Sequence, residues 1–161
     1  MKIYKILAGV MLALFLFNPG TWSADTLPVK PSERDKCPVC GMFVAKYPDW
    51  VAQVVFEDAS RYFFDGAKDL FKFYFNLKKY APSQTREKIA GIYVTEYYDM
   101  ALIDARQAIF VIGSDVYGPM GRELIPLKTE ADAQQFADDH RGKQQVRFAE
   151  ITTHLIDGLD D

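Results

Sequence analysis

Hydrophobic and polar positions along the chain alternate between two periods, and the switches between them mark the elements. Residues 51–57 (VAQVVFE) form a β-branched apolar run, Asp58-Ala59 makes a tight turn, and residues 60–64 (SRYFF) supply a hairpin partner. Asp65 then stands where it can cap a helix from Gly66 to about Tyr80. In that helix Ala67, Leu70, Phe71, Tyr74 and Leu77 fall at helical spacing, while Lys68, Asp69, Lys72 and Lys78 face away. Pro82 stops the helix, and residues 92–98 (IYVTEYY) read as another strand. The order then repeats: a strand over 107–112 (QAIFVI), a loop over 114–121 and a strand over 122–127. A helix capped by Thr129 runs to about His140 and is closed by Gly142, before a strand over 145–149 and a short tail helix. Met100, ahead of Ala101-Leu102-Ile103, reads as ordinary core.

This pattern predicts an α+β fold built from two ββαβ-like units, 37–98 and 99–161, packed together because each alone has a thin core. Residues 25–36, polar with Pro28 and Pro31, make an extended lead-in. Residues 1–24 have the anatomy of a secretory signal peptide. Lys2 and Lys5 give a positive start, residues 6–17 are apolar and uncharged, Asn18-Pro19-Gly20 breaks the run, and small residues follow. The apolar run is too short to cross a bilayer, although an uncut leader could serve as an N-terminal anchor. Export to the periplasm is therefore expected. No cysteine lies in or just after the leader, so no lipid anchor is expected there.

Charge narrows the function classes. The chain carries a net charge of −3 and becomes more acidic once Lys2 and Lys5 leave with the leader. Without a basic cluster it is a poor nucleic-acid ligand. An exported protein can hold a disulfide, and two cysteines allow one pairing.

Those two cysteines lie in Lys36-Cys37-Pro38-Val39-Cys40-Gly41-Met42, which gathers three sulfurs in one short loop. Four readings compete for it. A disulfide staple needs only the two thiols. A thiol–disulfide oxidoreductase needs its motif at a helix N-terminus, and Gly41, Phe43-Val44 and Pro48 argue against a helix there. Structural zinc wants four ligands, and His140 and His154 match no compact pair. Both histidines have plainer roles, His140 beside the dipole of a helix C-terminus and His154 in an apolar tail. Soft-metal binding accounts for the methionine as well, because Cu(I) prefers thiolate and thioether. Gly41 lets the loop fold so that the sulfurs of Cys40 and Met42 can face one point. A second clue is the loop Gly118-Pro119-Met120-Gly121, where proline and glycine suit a type I turn with Met120 near its tip. Such a methionine either packs in the core between the halves or binds.

CPVCGMFV near the start of the mature chain, YFFDGAKDLFKFYF in the middle, and SDVYGPMGRELIPL followed by AQQFADDHRG resemble the NosL family of nitrous oxide reductase accessory proteins. CPVCGM alone also resembles short YHS-type metal-binding modules; the combination is far more specific. The resemblance implies a fold of two ββαβ units similar to a domain of organomercurial lyase. It also implies a non-enzymatic periplasmic chaperone that delivers Cu(I) to a copper-enzyme apoprotein or its assembly machinery, with nitrous oxide reductase and an associated membrane transporter as the expected partners. The implied ligands are Cys40 and Met42 of the CGM motif, with Cys37 as a second thiolate or transfer partner and Met120 as a further thioether. Many such proteins are lipoproteins, and the absence of a lipidation cysteine here is a departure from that pattern.

Overall fold

The structure is a computed structural model and describes residues 26–160; the expected leader over residues 1–24 lies outside them. The strands are β1 (Ala52–Phe56), β2 (Arg61–Phe64), β3 (Ile89–Thr95), β4 (Leu102–Asp104), β5 (Ile109–Ile112), β6 (Tyr117–Gly118), β7 (Gly121–Arg122), β8 (Ile125–Leu127) and β9 (Gln144–Arg147). The helices are α1 (Ala67–Phe75), α2 (Leu77–Tyr80), α3 (Glu130–Asp139) and α4 (Thr153–Asp157). Among the described residues, no helix is long and apolar enough to cross a membrane.

One antiparallel sheet has the order β2-β1-β3-β4 and another the order β8-β5-β9. In each, the opening strand is central, flanked by the strand that precedes the helix and the strand that follows it. This is the same ββαβ arrangement twice. The second unit carries an inserted hairpin, β6–β7, between β5 and β8. β4, which the sequence pattern did not predict, extends the first sheet by pairing with β3.

Strand alternation explains how the units join. On β5, Phe110 and Ile112 belong to the core shared with the first unit, while Ile109 and Val111 face Ala133 and Phe136 of α3. Both faces are covered, which is why the strand reads as an unbroken apolar run. The shared core centres on α1, whose Leu70, Phe71 and Phe73 are fully buried. Phe71 meets Phe110 edge-on, with ring centroids 5.4 Å apart. Each such side chain taken from water contributes about 1.5–3 kcal/mol. The lead-in lies along the first sheet, where the Gln53 amide donates to the Val29 carbonyl at 2.8 Å and accepts from the Val29 N–H at 3.3 Å.

Several local expectations change. The helix expected over 66–80 is interrupted at Asn76, whose side chain donates to the Lys72 carbonyl four residues back. That bond competes with the helical backbone pattern. Lys68 and Asp69, expected to face away, are both 2% exposed because other parts of the chain fold over them. Met100, expected in the core, is 53% exposed at a turn and takes a left-handed backbone. Thr129 caps α3 as expected, its hydroxyl accepting from the Asp132 N–H.

Candidate metal centre

The sulfur loop is closed by its own backbone. The Cys37 N–H donates to the Met42 carbonyl and the Gly41 N–H donates to the Cys37 carbonyl, both at 2.9 Å, while Lys36 bridges to Phe43. Gly41 sits at φ +81 with open space where a Cβ would lie, so backbone conformation rather than crowding calls for glycine there. No helix begins at the motif; a single turn of 3-10 helix follows over Val44–Lys46.

This loop rests against the start of α1. The Cys37 thiol donates to Asp69 Oδ2 at 3.2 Å and the Cys40 thiol donates to Asp65 Oδ1 at 3.1 Å. One ligand atom from each of Cys37, Cys40, Asp65 and Asp69 lies within 4.8 Å of the others, an arrangement that could hold a metal ion. Cys37, Asp65 and Asp69 are buried, whereas Cys40 is partly exposed and forms the open side. Asp65 Oδ2 is buried with no hydrogen-bond partner, so this carboxylate retains acceptor capacity inside the cluster. Both cysteines are free thiols. Burial pushes the Cys37 thiol far above its ordinary value, with the Asp69 charge acting in the same direction. The Cys40 thiol is pushed up to about 12, chiefly by burial and further by hydrogen bonds to Asp65 and Asp69. A metal ion that takes both sulfurs must therefore displace their protons.

Asp65 and Asp69 are the site residues that sequence reasoning missed. Its place before the helix predicts Asp65 as the cap, and it is not one: α1 begins after Gly66 without a local side-chain cap. The cap comes from the second unit. Glu123 Oε1 accepts from the Lys68 N–H in the first turn of α1 and from the Leu124 N–H at 2.9 Å. Asp65 is thereby free to turn toward Cys40. One signal for the pair was available, since Asp65 and Asp69 are four residues apart and so can share a face at the start of a helix.

Gly66 makes this capping possible. A Cβ there would lie 2.1 Å from Glu123 Oε2. The carboxylate ends a flexible side chain, but it is buried and bonded on its other oxygen, so it has nowhere to go. Gly66→Ala is expected to displace the cap and cost about 1–3 kcal/mol, read as a lower urea midpoint at unchanged slope.

The two methionines are placed differently. Met42 is half-buried beside the thiols, and its backbone carbonyl closes the loop. Met120 lies in the two-residue connection between β6 and β7, is 44% exposed, and offers its backbone carbonyl to the Lys68 amine at 2.8 Å. His140 is outside the cluster. It ends α3, packs on Phe136, and faces Asp115 at 3.3 Å. His154 lies in α4, also apart from it.

The NosL family model matches residues 28–156. The chain belongs to the NosL family. A copper-binding lipoprotein NosL from Stutzerimonas stutzeri is 29% identical over 169 residues, spanning 96% of this chain and 85% of that protein. The crystal structure of the copper chaperone NosL from Shewanella denitrificans is similar at a TM-score of 0.64 and 26% identity, covering 79% of this chain and 99% of that one. A solution structure of apo-NosL from Achromobacter cycloclastes is also 26% identical, with a TM-score of 0.46, over 65% of this chain and 87% of that one. The α+β architecture is thus that of the Shewanella NosL structure, and the sulfur–carboxylate cluster lies within the region matched by the family model.

Proposed function

We propose that this NosL-family protein is a non-enzymatic copper chaperone that takes up Cu(I) outside the cytoplasm and hands it to a copper enzyme under assembly. The observation that carries this reading is the convergence of the Cys37 and Cys40 thiols within one cluster, beside a carboxylate with an unpartnered oxygen. The names of the relatives from Stutzerimonas and Shewanella, a copper-binding protein and a copper chaperone, support copper as the metal.

In this reading Cys40 is the entry ligand, because it is the more exposed of the two thiols. Cys37 is the buried second thiolate, and Met42 and Met120 add thioethers. Cu(I) accepts such a set through its softness and tolerates an incomplete shell, which leaves room for ligand exchange with a recipient. Asp65 and Asp69 hold the thiol protons in place until metal arrives. The recipient proposed is nitrous oxide reductase, reached directly or through its membrane assembly machinery. Transport to the periplasm is assigned to the leader over residues 1–24. A thiol–disulfide role is disfavoured, because exchange needs an accessible thiolate and burial opposes its formation at both sulfurs.

The test is an anaerobic titration of the reduced protein with Cu(I) against a chromophoric chelator, run beside Met42→Leu. Removal of one equivalent of copper by the wild type, with weaker retention by the variant, is the expected result. Failure of the wild type to compete at all would end the copper reading. Equal retention by both proteins would remove Met42 from the ligand set.

A further inference from the structure

We infer that Lys68 is a positioning residue that sets the Met120 arm of the copper site, with Asp160 in the C-terminal turn as its second anchor. The inference rests on the preceding reading in one respect, that Met120 supplies a ligand.

Lys68 is unusual in its place. It stands on the first turn of α1 between Asp65 and Asp69, yet only 2% of it is exposed. A buried ammonium is costly unless its donors are satisfied. Its amine donates to the Met120 carbonyl at 2.8 Å and pairs with Asp160 Oδ1 at 3.1 Å. Its backbone N–H donates to Glu123. Both polar ends of this one residue therefore grip the segment 120–123, at its first and last positions. Asp160, 47% exposed, also pairs with Lys72 at 2.7 Å, so the tail is held to α1 by two lysines.

The consequence concerns the tip of the hairpin. Met120 lies on a two-residue connection with an exposed side chain, and such a tip is mobile unless its backbone is tied down. Fixing the Met120 carbonyl to the helix that carries Asp69 and directly follows Asp65 places the thioether arm relative to the cluster without Lys68 touching metal. Groups that orient ligands in this way commonly change metal affinity by about 10–100-fold when removed. A purely structural lysine would instead support the fold and leave copper retention unchanged.

The experiment is a double-mutant cycle on the reduced full-length protein with Lys68→Leu, Met120→Leu and the two combined; leucine is chosen at 68 because it adds no sulfur donor beside the site. The measurements are Cu(I) competition, the number of sulfur neighbours by copper X-ray absorption, and thermal midpoint. Lys68→Leu is expected to weaken retention about tenfold and to lose one sulfur neighbour. The double variant should then be no weaker than Met120→Leu alone. Independent, multiplying losses would overturn the positioning role, as would a Lys68→Leu protein that melts earlier but holds copper as the wild type does. If Met120→Leu has no effect, Met120 is not a ligand, and the preceding reading fails at that residue together with this inference. If only Met120→Leu matters, Lys68 alone is at fault. Should Lys68→Leu not fold, Asp160→Asn replaces it in the cycle and is judged by the same coupling.

Discussion

Cys40→Ser is expected to abolish Cu(I) retention. Removing a group that merely orients a ligand costs about 10–100-fold in affinity, and removing the ligand should exceed that. Serine keeps the size and the hydrogen bond to Asp65 but replaces a soft donor with a hard one that Cu(I) does not favour. Cys40 is partly exposed and bonded to Asp65 on the surface of the cluster, so the substitution should leave the fold intact. Unchanged circular dichroism and thermal midpoint, with copper lost entirely to the chelator, is the expected pair of observations. Retention within tenfold of the wild type would show that Cys40 is not a ligand. Cys37→Ser is a less clean test, because Cys37 is 1% exposed and part of the main core, and its loss would lower stability as well.

Glu123→Ala should have the largest effect on stability. It strips the acceptor from two N–H groups, those of Lys68 and Leu124, in a place closed to water. Each unsatisfied buried donor costs about 1–3 kcal/mol, so for two donors a loss on the order of 2–6 kcal/mol is expected. For a domain of this size that corresponds to a thermal midpoint lower by roughly 10 °C. Glu123→Gln keeps an acceptor oxygen for both bonds and should cost far less. A small loss with alanine would show that water or another side chain caps α1 as well.

The same residue links stability to pH. Burial pushes the Glu123 carboxyl from 4.5 up to about 8, against the opposing effect of the two N–H groups it accepts from. The folded state thus holds a proton that the unfolded chain releases near pH 4.5. The stabilisation from that proton is complete below pH 4.5 and is lost as pH rises through about 8. The wild-type thermal midpoint should therefore fall between pH 5 and pH 9, and Glu123→Gln should flatten that slope. An unchanged slope in the variant would place the titration elsewhere.

Much of the fold is legible in the sequence because it depends on neighbours a few residues apart. The β-branched run VAQVVFE, the Asp58-Ala59 turn and the aromatic SRYFF are enough for the β1–β2 hairpin, and Thr129 announces its own helix through a bond to a residue three positions on. The sulfur loop is equally local, since Cys37, Cys40 and Met42 sit in a turn closed by backbone bonds among themselves. What the residues alone could not decide is what lies against that loop. Asp65 and Asp69 reach the thiols from 25 and 32 residues away, and Glu123 reaches α1 from 55. An aspartate just before a helix ordinarily caps it, and here it does not, because a glutamate in the other half takes that place. Lys68 and Asp69 fall on the polar side of an amphipathic helix, which points to solvent only if nothing packs there. The sequence by itself determined most of the elements, the sulfur loop and the twofold ββαβ plan. Only the tertiary structure decided the carboxylate half of the site, the buried lysine and the exposed Met100, because each depends on which distant surfaces meet and exclude water.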